Sequence, residues 1–280
     1  MRIANILVAA ALLISAPLSD ACGGQIEIRV RNEMSAGGFG ITPVWAGFHD
    51  GSFEAFTPGT NLAGSSYRPL AELGITTNLA NAFGGLGPQT VVGSSPILPG
   101  MTVARTLNVA DPAATPMFDF ASMVIPSNDF FIGSPSNGPL TIFDSLGRII
   151  DGAGNLASSR VIRIFGRMVW DAGTEVDNSN FGAAFLVGVN EFHHTPANST
   201  ARLVFGGPTD YTAYFASLNG RATHGGYSIS QLFGPDDLIA TIRITAVPEP
   251  SNLVLSGFGL AGAAVLGARR RSAFARRFAN

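Results

Sequence analysis

The chain has 280 residues, 34 of them glycine and 17 proline; 46% of it is hydrophobic and only 13% charged. A soluble domain carries about 25% charged residues, so disorder driven by high charge is excluded and a sizeable apolar core is expected. Every basic residue is an arginine, and between Cys22 and Val247 seventeen acidic residues face eleven arginines, a net of −6 that argues against nucleic acid as a partner.

Met1-Arg2, the apolar run 6–16 and the small-residue site Ser19-Asp20-Ala21 read as a secretory signal peptide, residues 1–21, cleaved after Ala21. The run is too short to span a bilayer. Cys22 is the single cysteine, so no intramolecular disulfide forms, and stability outside the cytoplasm must come from core burial or bound ions. Asp20 stands where a lipoprotein signal takes a small residue, which argues against lipidation of Cys22.

Residues 22–246 read as one domain of strands and Gly/Pro-rich turns. Residues 25–31 alternate Ile26, Ile28, Val30 with Glu27, Arg29, Arg31, the period-two pattern of a half-buried strand. Residues 238–246 repeat it, with Leu238, Ala240, Ile242 and Ile244 expected inward and Ile239, Thr241, Arg243 and Thr245 outward. Further strands are expected over 41–48, 101–109, 117–125, 161–170 and 201–205. Only 67–83 looks helical, with Leu70, Leu73, Leu79 and Phe83 at near-helical spacing and a break at Gly74. Short strands between turns predict an antiparallel sandwich rather than an α/β fold.

Acidic residues are sparse, so their clustering carries information. Asn128-Asp129 ends the 117–125 strand, and Asp171, Glu175, Asp177, Asn178 and Asn180 follow the strand ending at Trp170. A hard cation such as calcium takes six to eight oxygens, here available from separate loops: Asp171 and Glu175 flank the turn Ala172-Gly173-Thr174, and Asp129 approaches from another strand end. The loop is not an EF-hand, because Gly173 and Gly182 fall where that loop needs oxygen ligands. Asp and Asn acting simply as turn formers is the competing reading, and spacing alone leaves both open.

The stretches Ala-Ser-Met-Val-Ile-Pro-Ser-Asn-Asp-Phe-Phe-Ile-Gly at 121–133 and Trp-Asp-Ala-Gly-Thr-Glu at 170–175 resemble the two signature segments of the spondin N-terminal domain. Thr-Pro-Val-Trp-Ala-Gly-Phe-His-Asp at 42–50 is similar to an earlier stretch of bacterial members, and the similarity extends roughly over 25–246. The resemblance implies an all-β, eight-stranded antiparallel β-sandwich, here with one short helical insertion, and one calcium ion at its end. The implied ligands are Asp129, Asp171 and Glu175, the last being Glu where animal members have Asp. It also implies roles in matrix and adhesion; the disulfides of animal members cannot form here.

Enzymatic readings are weaker. No serine sits in a GxSxG elbow, and Cys22 has no partner motif. His193 and His194 are neighbours that a strand would point to opposite faces, which disfavours joint zinc ligation, and His49 before Asp50-Gly51 reads as a polar group satisfied at a strand end. A glycosidase pair of Asp129 and Asp171 would compete with calcium for the same oxygens.

At the other end, Pro248-Glu249-Pro250 precedes 18 uncharged residues, 251–268, and then Arg269-Arg270-Arg271 and Arg276-Arg277. Eighteen helical residues rise about 27 Å, enough for a transmembrane helix, with the arginines cytoplasmic. The GxGxxG at 257–262 lies inside this run with no βαβ unit around it, so it is a close-packing face and no dinucleotide site. Residues 247–280 resemble the PEP-CTERM sorting signal, which implies processing by an exosortase and release to the surface or matrix of a Gram-negative bacterium, often alongside exopolysaccharide.

The expected protein is thus non-catalytic, exported through a transient inner-membrane anchor, and a partner of exosortase, of the membrane through its C-terminal helix, and of extracellular polysaccharide or matrix. The alternative is a secreted carbohydrate-binding protein or glycoside-active enzyme using Phe130, Phe131, Trp170 and Phe181 as sugar-facing aromatics.

Overall fold

A computed structural model describes residues 24–134, 138 and 140–247. The expected signal peptide, Cys22, the Pro248-Glu249-Pro250 motif, the 251–268 helix and the arginine tail lie outside the described residues. Among those described, no helix is long and apolar enough to cross a membrane.

The elements run β1 (Gly24–Asn32), β2 (Gly40–Ile41), β3 (Val44–His49), α1 (Arg68–Leu73), α2 (Thr77–Phe83), β4 (Gln89–Val92), β5 (Thr102–Val109) and β6 (Met117–Ile125). There follow β7 (Phe130–Gly133), β8 (Leu140–Thr141), β9 (Ser159–Phe165), β10 (Trp170–Asp171), β11 (Arg202–Leu203), α3 (Thr212–Leu218) and β12 (Leu238–Ala246). Of these twelve described strands, eight have four or more residues, and the pairings are antiparallel. One sheet has the order β5-β1-β12-β9; the other has β11-β10-β7-β6-β3-β4, with β2 and β8 also pairing with β6.

The two sheets enclose one core. Ile26, Ile28 and Val30 of β1 and Ile242 and Ile244 of β12 join Phe48, Phe118, Phe120 and Phe130 of the second sheet in a single buried cluster. Each such side chain contributes about 1.5–3 kcal/mol relative to exposure. The second sheet is also covered on its outer face: Trp45, Ala121 and Phe131 pack against Leu70, Leu79 and Phe83 of the helical pair α1–α2. Burial on both faces explains why β6 is buried at eight consecutive positions instead of alternating.

Three expectations need correction. Residues 238–246 do form β12, but Ile239 is fully buried and Leu238 only half-buried, because a bulge between Leu238 and Ala240 against β9 shifts the side-chain alternation. The expected strand 161–170 is divided by a 3-10 turn, Gly166–Met168, so that β9 ends in the first sheet and β10 begins in the second. Gly166 permits the crossing: a Cβ there would lie 2.0 Å from the Gly234 carbonyl oxygen. The expected 41–48 strand is likewise split at Thr42-Pro43 into β2 and β3. The break at Gly74 falls where the spacing places it, between α1 and α2. The short α3 has no counterpart among the expected elements.

Candidate metal centre

The crossing at Gly166 delivers Asp171 beside the β6–β7 loop, where it pairs with Phe130, the residue after Asp129. Both carboxylates are fully buried, and Glu175 is 3% exposed. The loop carrying Asn128 and Asp129 is fixed from several sides. The Ser127 hydroxyl donates to the Val124 carbonyl (2.6 Å) and accepts the Phe130 N–H (3.0 Å). The Tyr214 hydroxyl, from α3, accepts the Asn128 N–H (3.1 Å) and donates to Asn128 Oδ1 (2.7 Å), which also accepts the Asn178 N–H (2.9 Å).

The acids differ in how their charge is met. Asp171 Oδ1 accepts the Gly173 N–H (2.6 Å), while its Oδ2 meets Arg202 Nη2 at 2.6 Å and accepts the Tyr211 hydroxyl. Asp129 Oδ2 accepts the Thr174 N–H (2.7 Å), the Thr174 hydroxyl (3.0 Å) and the Glu175 N–H (2.9 Å). Its Oδ1 is buried without a hydrogen-bond partner, and so are Glu175 Oε2 and Asp177 Oδ1.

Burial, then the charges of Asp171 and Asp177, pushes the Asp129 carboxyl well above the ordinary range. Burial and Asp171 push Asp177 to about 8. Burial and the nearby Glu72 raise Glu175 to about 7, against the opposing pull of His194. Gly182, at φ +78°, closes over this pocket: a Cβ there would stand 2.5 Å from Asn128 Nδ2 and 3.1 Å from Glu175 Oε2.

The three expected ligands therefore border one acidic end but do not converge as one trio. The His/acid trio with mutually close ligand atoms among the described residues is Glu72, Glu175 and His194. Sequence reasoning placed Asp177 in the acidic run but not among the ligands, and it missed Arg202, Tyr211, Tyr214 and Glu72. Each of these comes from an element distant in sequence, and no local pattern marks them. His193 and His194 part ways: the His193 ring packs on Phe181 at 4.8 Å, and His194 Nδ1 meets Glu175 Oε1 at 2.9 Å. His49 is fully buried, accepts the Gly51 N–H through Nδ1 (3.0 Å) and places Nε2 3.4 Å from Asp119 Oδ2, a position inside the fold. Phe130 and Phe131 are fully buried, which removes two of the four aromatics a sugar site was to use.

At the far end of β12, the Val247 N–H still donates to the Gln25 carbonyl (2.8 Å), and the chain there leaves the sheet. Residues 246–271 match the PEP-CTERM protein-sorting motif. The sorting signal thus begins at the last residue of β12, and the chain is an exported protein whose signal is processed by exosortase. No curated protein matches the chain.

Proposed function

We propose that this is a non-catalytic cell-surface or extracellular-matrix protein whose spondin-like sandwich binds one calcium ion at its acidic end, in an adhesive or biofilm role beside exported polysaccharide. The observation that supports calcium is the set of buried carboxylate oxygens with no partner, Asp129 Oδ1, Glu175 Oε2 and Asp177 Oδ1. Buried anions without partners are costly, and a hard cation with oxygen preference is the chemistry that offsets them. Asp129, Glu175 and Asp177 would hold the ion through these free oxygens, while Asp171, the third ligand the resemblance implies, stands beside them with its oxygens turned to Arg202, Tyr211 and the Gly173 N–H. Bound there, calcium supplies positive charge that ties the β6–β7 loop to the 171–177 segment.

The test is thermal melting of the exported protein in calcium and in chelator, wild type beside Asp129→Asn. Asparagine keeps an oxygen to accept the Thr174 and Glu175 donors and puts an amide where the unpartnered Oδ1 stands. A ligand bound only by the native state adds about 2.7 kcal/mol at a hundredfold excess over Kd. For a domain of this size the wild type gains roughly 5–11 °C, at about 2–4 °C per kcal/mol. Asp129→Asn gains nothing from calcium, and in chelator it melts above the wild type because one repelling charge is gone. Equal melting of the wild type in both buffers overturns the assignment. For the matrix role, deleting the gene lowers retention of polysaccharide on the cells; unchanged retention refutes it.

A further inference from the structure

Beside the acidic pocket, α1 and the loop after Glu191 bring a different donor set together. Glu72 lies on the buried face of α1, 7% exposed. His194 is held against the 174–176 segment by the Val176 N–H to the Thr195 carbonyl (2.8 Å) and the Ala197 N–H to the Thr174 carbonyl (3.1 Å). Its Nδ1 lies 2.9 Å from Glu175 Oε1 and 3.6 Å from Glu72 Oε1. Tetrahedral zinc ligands at about 2.0–2.1 Å from the ion stand about 3.3 Å from one another, which these separations bracket.

We propose that Glu72, Glu175 and His194 form a binding site for a transition ion of the Zn2+ class, with its fourth position open to solvent. The donors are one imidazole nitrogen and two carboxylate oxygens, a mixture that suits zinc better than calcium. Two further features point to a cation. Both carboxylates are more than nine-tenths buried. Arg68 Nε donates to Glu72 Oε1 at 2.8 Å, the outer contact that orients a ligating carboxylate. The imidazole has 29% of its side chain exposed, which leaves an entry path. The site uses Glu175 through Oε1 and so does not depend on calcium at Oε2.

The experiment is Zn2+ titration of the purified exported protein by calorimetry in saturating calcium, with Co2+ absorption as the coordination readout. The wild type takes up one Zn2+, and Co2+ gives the intense visible bands of a four-coordinate site. His194→Ala weakens Zn2+ by more than about 100-fold, since loss of an outer-shell partner alone costs about 10–100-fold, the range expected for Arg68→Met. His193→Ala leaves binding unchanged and so separates the site from adventitious histidine binding. His194→Ala retains its calcium-dependent melting shift, which certifies its fold, whereas Asp129→Asn loses that shift and keeps Zn2+. If calcium binds nowhere, the Zn2+ result still stands or falls alone. Absent Zn2+ uptake, uptake that survives His194→Ala, or uptake abolished by His193→Ala overturns the proposal.

Discussion

Asp171 and Asp129 are brought alongside by the same strand pairing, equally buried, yet they illustrate two fates of an interior carboxylate. Asp171 is answered by Arg202, Tyr211 and the Gly173 N–H, so its charge is part of the architecture. Asp129, with Asp177 and Glu175, is answered on one oxygen at most by backbone or side-chain donors, and its remaining charge is left over. Compensated charge holds the chain together, and uncompensated charge is what the proposed ion would answer. Acidic residues that look alike in sequence separate only when their partners are known.

The strongest attack on this contrast is Arg202→Met. Removing one member of a buried ion pair costs about 3–5 kcal/mol, so melting should fall by roughly 6–20 °C, at about 2–4 °C per kcal/mol. Calcium should rescue little of it, because Asp171 is not among the orphaned groups. Full rescue by calcium would erase the distinction between the two halves.

A pH series sharpens it. Glu175 and Asp177 are raised to about 7 and about 8, and Asp129 is raised as well. Raised acids favour the native state while protonated. Their contribution is therefore fully present below about pH 4 and is lost as pH rises to about 8. In chelator, the melting temperature should fall by several degrees across that window, and saturating calcium should flatten the slope. A calcium-free protein with no such slope would mean that these acids titrate normally. The smallest effect is that of Tyr214→Phe, which deletes the hydroxyl bridging α3 to Asn128 at a cost of about 1 kcal/mol. That shift, read by chemical denaturation, should be the same with and without calcium.

Some of this was legible in the residues. The period-two runs of β1 and most of β12 give their faces because one side of that sheet is solvated, and the leucine spacing around Gly74 gives both helices. The second sheet was harder to read, since burial on both faces removes alternation from β6 and leaves 161–170 looking like one strand. Only a close approach to Gly234 betrays the crossing at Gly166, and that is a tertiary fact. At the site, scarcity of acids singled out Asp129, Asp171 and Glu175. Arg202, Tyr211 and Glu72 carry no such mark, because each gains its meaning from a partner distant in sequence, and His194 drew notice only as the neighbour of His193.

The antiparallel register of β1 with β12 sets Ile26 opposite Ala246, so the sorting signal departs at one end of the sheet. Asn32, at the opposite end of β1, donates to the Phe39 and Ile97 carbonyls beside β2, which pairs with Ile125 just before the acidic loop. Eight residue steps of strand span roughly 26 Å. The root of the sorting signal at Val247 and the acidic loop that begins after Ile125 therefore lie toward opposite ends of β1.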